Sequence, residues 1–319
     1  MHMSIQRFLA ALLFVCSSFA QAQAYPSKPI KLIVPYAVGQ GTDIASRYLA
    51  DELGKELKQA VFVDNRPGAG GNVGTQLAAH SAADGYTLLI GTNATHAANA
   101  YLYTNPGYEI EDFEPIGMIG ILPLVYVASN ASPVNNIQDL IRASRAKPDS
   151  LNVAISTTTC RMAHELFKQR AQAPMFPVDF KGSAQALIAV IGGQVEFMVD
   201  TITSLRQAIA NGQVKALGVT SAHQSKLLPG VKTLVEQGVT DYELVGWTVL
   251  YAPRGITPNV RRTLTEAVDK VIARPDVQEK LLQMGIEPSS KSGEELKAFG
   301  SAEKEKWGKL IRGAGLKAS

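Results

Sequence analysis

Four short stretches of small and polar residues hold most of the chemistry this chain can offer. The first, residues 34–43, contains Tyr36, Gly39, Gly41, Thr42 and Asp43. The second, 91–96, carries Thr92, Asn93 and His96. The third, 156–161, carries Thr157, Thr158, Thr159, Cys160 and Arg161, and the fourth, 181–184, carries Lys181, Gly182 and Ser183. Each lies where a strand-like run gives way to helical spacing, so each presents hydroxyls and backbone N–H groups at a helix start. A helix N-terminus has unpaired donors and the positive end of a dipole, which suits a carboxylate or another small anion. Any one of these junctions also reads as ordinary capping by Ser, Thr or Asp. Four in one chain point to a shared anion site. Arg161 opposes the dipole of its own helix, so it needs a partner, either a bound carboxylate gripped through two parallel hydrogen bonds or a surface ion pair.

Other constellations are thin. Residues 68–74 are glycine-rich, but a dinucleotide fingerprint starting at Gly68 needs glycine where Val73 stands, and one starting at Gly39 needs it where Ile44 stands. No Gly-Lys-Ser/Thr follows, so no phosphate loop is expected, and the stretch reads as a turn delivering a helix from about Asn72. His80, His96, His164 and His223 show no metal-ligand spacing, and neither metal nor cofactor is expected. There is no Gly-x-Ser-x-Gly elbow, and no obvious base accompanies Cys160. Asp43 fits a general base or a helix cap equally. A secreted hydrolase-like enzyme using Asp43 or His96 is therefore the rival to a binding protein without catalysis.

The elements that must position these residues follow from periodicity. Short β-branched runs at 30–34, 61–63, 87–91, 124–128, 153–155, 196–199 and 216–220 read as strands. Between them, apolar residues recur at helical spacing, as at Ile44, Ala45, Tyr48, Leu49 and Leu53. Near-continuous apolar strands separated by helices predict an α/β fold with parallel sheets covered on both faces. Past Tyr251 the pattern turns helical. Thr257-Pro258 opens one helix, and Ser292 with Glu295 forms a capping box at the start of the last. No low-complexity linker is present, so two domains would be joined by strand-like crossings near Pro123 and near 247–251.

Composition narrows the class. Hydrophobic residues make up 46% and charged residues 18% of the 319, which describes a packed globular protein of a length suited to two domains. Residues 1–24 carry Arg7, an apolar run from Phe8 to Phe19 and Ala22-Gln23-Ala24, the pattern of a cleaved secretory signal. A mature chain starting at Tyr25 keeps 30 Lys and Arg against 28 Asp and Glu, too balanced to draw nucleic acid or a membrane surface. Cys160 is then the sole cysteine, which excludes an intrachain disulfide.

Taken in order, these segments resemble the substrate-binding proteins of tripartite tricarboxylate transporters, often called the Bordetella uptake family. The resemblance runs from Tyr25-Pro26-Ser27-Lys28-Pro29-Ile30 through Asn65-Arg66-Pro67-Gly68-Ala69-Gly70-Gly71-Asn72 and Asp84-Gly85-Tyr86-Thr87-Leu88-Leu89. Lys181-Gly182-Ser183, Gly192-Gly193-Gln194-Val195-Glu196 and Ala216-Leu217-Gly218-Val219-Thr220-Ser221 continue it. It implies a two-domain periplasmic binding protein of type II, with residues 25–122 plus 250–319 in one domain, 123–249 in the other, and the ligand cleft between them. It implies a monomer that holds a small organic acid and serves membrane permease subunits; a periplasmic sensor for a membrane kinase would use the same fold. The ligand would lie against the loop from Tyr36 to Asp43, against Thr92, Asn93 and His96, and against the Thr157–Arg161 loop. Lys181, Gly182, Ser183 and the Asp200-Thr201 turn would close over it. Val38 and Gln40 depart from the family's Ala-Pro-Gly-Gly loop, Phe180 stands where Tyr is usual, Thr201 where Asn is usual, and Arg161 where a histidine is common. A cation at Arg161 makes a dicarboxylate the expected ligand.

Overall fold

A computed structural model describes residues 25–148 and 150–316, and the expected signal segment lies outside them. In chain order the elements are β1 (Ile30–Val34), α1 (Gly41–Leu57), β2 (Val61–Asn65), α2 (Asn72–Ala79) and β3 (Thr87–Thr92). A short helical stretch, Ala94–Ala98 running into Asn99–Leu102, leads to β4 (Phe113–Ser129), α3 (Ile137–Ala146), β5 (Asn152–Ile155), α4 (Thr158–Ala171) and β6 (Phe176–Asp179). Then follow α5 (Ser183–Ile191), β7 (Phe197–Thr201), α6 (Ile202–Ala210), β8 (Val214–Val219) and β9 (Val245–Pro253). The chain closes with α7 (Pro258–Ala273), α8 (Pro275–Gln283), β10 (Glu287–Pro288) and α9 (Gly293–Gly313).

The strands form two sheet halves. In one, β2, β1 and β3 are parallel, and β9 joins β3 antiparallel. In the other, β6, β5 and β7 are parallel, while β8 lies against β4. The halves share β4, whose 17 residues pair with β9 from Phe113 to Pro123 and with β7 from Leu124 onward. The return passage comes just before Val245, because Leu244 N–H still bonds Thr220 O in the second half.

Burial explains the elements. Ile30, Leu32, Ile33 and Val34 on β1 are no more than 1% exposed, as expected for a strand covered on both faces. Ala45, Leu49 and Leu53 put one stripe of α1 into the core beside Leu264, Val268 and Val271 of α7. A separate cluster fills the second half with Val125, Val127, Val190, Met198 and Leu205. A third runs across both, uniting Trp247, Trp307, Tyr126 and Phe167.

The expected parallel sheets are in fact mixed, because β4 and β9 pass directly between halves and run antiparallel to their neighbours. The first half of β4 escapes sequence reading because Pro115, Gly117, Gly120 and Pro123 interrupt its apolar run; two register shifts absorb them. Strand β6 was not expected, and the two-residue β10 interrupts the helical end, pairing with Ile121 and Gly120. Thr257 caps α7 by accepting Val260 N–H, with Pro258 at its first position. The capping box at α9 does not form. Ser292 precedes the helix, but its hydroxyl bonds Asp269 and Glu295 pairs with Lys291.

Candidate ligand-binding cleft

Residues at the carboxyl ends of β1, β3, β5, β6 and β7 converge on one narrow cavity of about 30 Å³. That is room for about two waters. Its walls are Tyr36, Gln40, Gly41 and Thr42 after β1, Thr92 and Asn93 ending β3, Thr157 and Thr159 after β5, Ser183, and Asp200 with Thr201 ending β7. Leu122 of β4 and Gly246 with Trp247 of β9 complete it. A second space of about 700 Å³, within the roughly 300–1,000 Å³ of small-molecule sites, forms its mouth, between Val38 and the turn of Gly68 to Gly71 on one side and Thr158, Lys181 and Gly182 on the other. Gly70 and Gly71 hold positive φ of 63° and 99°, so only glycine makes this turn into α2 without strain.

Four helices begin at the cavity, and their caps differ. Thr157 caps α4 by accepting Cys160 N–H at 3.1 Å, and Thr201 caps α6 by accepting Ser204 N–H at 3.3 Å. Helices α1 and α5 begin after Gln40 and Gly182, and neither has a side-chain cap. Their first-turn N–H groups thus remain for a ligand, from opposite sides of the cleft. Two buried polar atoms of the wall also have no well-aligned partner, Gln40 Oε1 and Ser183 Oγ.

Hydrogen bonds within and across the cleft fix the remaining walls. Tyr36 and Thr92 hydroxyls meet at 2.6 Å, Asn93 Nδ2 donates to Thr159 Oγ1 at 2.8 Å, and Gln40 Nε2 donates to Ser156 O at 3.4 Å. Trp247 is held from behind by the last helix: its Nε1–H donates to Glu303 Oε2 at 2.8 Å, and Trp307 donates to the same oxygen at 3.0 Å.

The lining contains no Lys, Arg or His. Burial pushes the Tyr36 phenol up, so it stays a neutral hydroxyl. Burial also raises the Asp200 carboxyl above the usual carboxylate range, an effect partly offset by the Ser156 hydroxyl and Thr201 N–H that it accepts.

Tyr36, Gly41, Thr42, Thr92, Asn93, Thr157, Thr159, Ser183, Asp200 and Thr201 are thus brought together, while Thr158, Lys181 and Gly182 sit at the mouth. Four expected site residues are placed elsewhere. Gly39 N–H donates to Asp43 Oδ2 at 2.9 Å, and Asp43 is further tied to Asn65 at 2.8 Å and Arg47 at 3.1 Å, so its carboxylate braces the α1 entry. His96 is buried behind the cavity, stacked on Tyr251 at 3.9 Å with Nδ1 on Thr95, and burial lowers it to about 3. Arg161 closes on Asp179 at 2.5 Å and lies 4.0 Å from Glu165, the surface ion pairing that was the alternative to a ligand contact. Sequence reasoning missed Gln40, Leu122, Gly246, Trp247 and Glu303. Glu303 lies four residues before Trp307 on α9, but its other partner, Trp247, is 56 residues away, so spacing could not reveal it.

Among known proteins, residues 45–316 match the family described as the tripartite tricarboxylate transporter family receptor. The chain is 31% identical over 324 residues to protein BugT of Bordetella pertussis, covering 99% of each. Its fold is similar to that of R. palustris Rpa4515, solved with adipate, at 30% identity and a TM-score of 0.90, covering 92% of this chain and 100% of that one. It is also similar to MatC from Rhodopseudomonas palustris, solved with bound malate, at 28% identity and a TM-score of 0.83, covering 90% and 100%.

Proposed function

The chain belongs to the tripartite tricarboxylate transporter receptor family of periplasmic binding proteins, and on that premise we propose that the cleft formed by this cavity and its mouth captures a dicarboxylate. The observation that carries this reading is the pair of uncapped helix starts, α1 and α5, facing each other across a cavity without a cationic side chain. Each helix N-terminus behaves as roughly half a positive charge, so donors from both sides can hold one carboxylate without Lys or Arg. The hydroxyls of Thr42 and Ser183 add charge-assisted hydrogen bonds of about 1.5–3 kcal/mol each. The second carboxylate extends toward the mouth, where Lys181 is the charged residue of the lining. Adipate and malate on the two relatives, both dicarboxylates, support this class.

The two changeovers of pairing, after Pro123 and before Val245, serve as the hinge, with residues 25–123 and 245–316 moving against 124–244. The protein exports through its cleaved N-terminal segment, binds as a monomer, releases its ligand unaltered and delivers it to the permease subunits. A thermal-shift screen over mono-, di- and tricarboxylates tests the ligand class. A dicarboxylate at 100 times its dissociation constant should stabilise the fold by about 2.7 kcal/mol. If no carboxylate raises the melting temperature, or if the bound acid is converted, the proposal fails.

A further inference from the structure

Asp200 is the one acidic side chain in a cavity read here as an anion site. It is 2% exposed, at the end of β7. Its Oδ1 accepts Thr201 N–H at 2.7 Å, and its Oδ2 accepts Ser156 Oγ–H at 2.5 Å. A carboxylate has about four lone-pair positions, so two remain after these bonds. Around it stand Ser156 and Cys160 at the start of α4 and Ser183 at the start of α5. The Ser183 hydroxyl is close enough to favour the charged form without making a well-aligned bond. From the other side of the cavity come Tyr36, Gln40, Gly41 and Thr42. Of all these only Cys160 and Tyr36 can titrate, and burial pushes both upward, so both stay neutral. Asp200 therefore has no cation to neutralise it.

An incoming carboxylate would share this enclosed space with a second negative charge. Two carboxyl groups at close quarters do not both stay ionised at low cost, and one of them gains a proton. The ligand is the better charge to keep, because the uncapped starts of α1 and α5 are free to hold it, whereas Asp200 is buried behind its two donors. On the carboxylate reading, we propose that Asp200 takes up one proton from solvent as the ligand enters, so that the cavity captures an anion together with a proton. The new Asp200 O–H donates to the ligand carboxylate, giving a short carboxyl–carboxylate hydrogen bond in place of a repulsion. No other bond is made or broken. Capture then tightens as pH falls, and Asp200 limits how much negative charge the inner cavity accepts.

Titration calorimetry of the mature chain with adipate, or with malate if adipate does not bind, tests this between pH 6 and 8. The second carboxyl of a diacid titrates above the first, beside a charge already present, so each probe's own protonation is measured in the same buffers and subtracted. Measurements in two buffers of different ionisation enthalpy should show uptake approaching one proton per ligand bound, with affinity falling up to about tenfold per pH unit. Asp200→Asn keeps a neutral donor in place; it should bind with no proton uptake and a flat pH profile, its fold being checked by its melting curve. Binding by the parent without proton uptake overturns the inference alone, as does an Asp200→Asn variant that keeps the parent's pH slope. If neither protein binds any carboxylate of the screen, the carboxylate reading falls and the inference goes with it.

Discussion

Gly41 packs directly against Thr201 from the other side of the cleft, and Gly41→Ala should separate ligand binding from fold stability. A Cβ at Gly41 would stand 2.5 Å from Thr201 Oγ1 and 3.3 Å from both Thr201 Cβ and Leu122 Cδ2. Ordinary contact needs roughly another ångström at the hydroxyl. Thr201 cannot yield freely, because its oxygen accepts Ser204 N–H at 3.3 Å and its hydroxyl donates to Ser204 Oγ at 3.0 Å. Losing such a cap costs about 1 kcal/mol, and holding the cleft ajar instead strains the hydrogen bonds around it by a similar amount. A total of about 1–2 kcal/mol corresponds to a dicarboxylate bound roughly 5- to 30-fold more weakly. Gly41 is the first residue of α1, where alanine gains little over glycine, but the ligand-free cleft is free to open, so its stability should stay within about 1 kcal/mol of the parent's. Calorimetry and a melting curve on one preparation read both effects. A double-mutant cycle with Thr201→Ala should show coupling of about 1 kcal/mol, since removing the hydroxyl removes the clash. Unchanged affinity in Gly41→Ala would show that this contact does not govern closure.

Four further outcomes are expected. Arg161→Ala should change affinity less than about threefold and stability less than about 1 kcal/mol, because the side chain is committed to a largely exposed Asp179, and calorimetry reads the former. Glu303→Ala strips the acceptor from Trp247 and Trp307 and should cost about 2–5 kcal/mol in urea denaturation, with weaker ligand binding, while Glu303→Gln restores most of both. Burial holds His96 and His164 neutral down to about 3, against an ordinary value of 6.5. The unfolded chain takes up protons that these two refuse, so stability should fall as pH drops below about 6.5, each contributing about 1.4 kcal/mol per unit until about pH 3; His164→Leu should remove one such increment from the urea midpoints. Lys181→Ala should weaken binding by about threefold, an effect that shrinks in high salt because the ammonium is exposed at the mouth.

Much of the fold is written in local patterns. The helix starts at Gly41, Thr158 and Ser183 stand where small polar residues interrupt apolar runs, and these junctions do converge on one cavity. What local pattern could not supply is direction and distance. The first half of β4 looks like loop because glycines and prolines punctuate it, and only pairing with β9 makes it a strand. Arg161 lies in a junction that lines the cavity, but β6, which was not expected, brings Asp179 to its guanidinium. Asp43 and His96 belong to the right loops, yet their side chains turn away to Asn65 and Tyr251. The roles of Trp247 and Glu303 depend on a C-terminal helix folding back across the sheet, which no spacing records.

The most direct measurement is a crystal structure of the mature protein with the tightest dicarboxylate from the screen. One ligand carboxylate should lie in the cavity within about 2.7–3.1 Å of donors from both uncapped helix starts, at Gly41 or Thr42 and at Ser183, with no Lys or Arg touching it. A ligand whose carboxylates are both held by basic side chains, or one bound outside this cavity, would contradict an anion site built from helix starts.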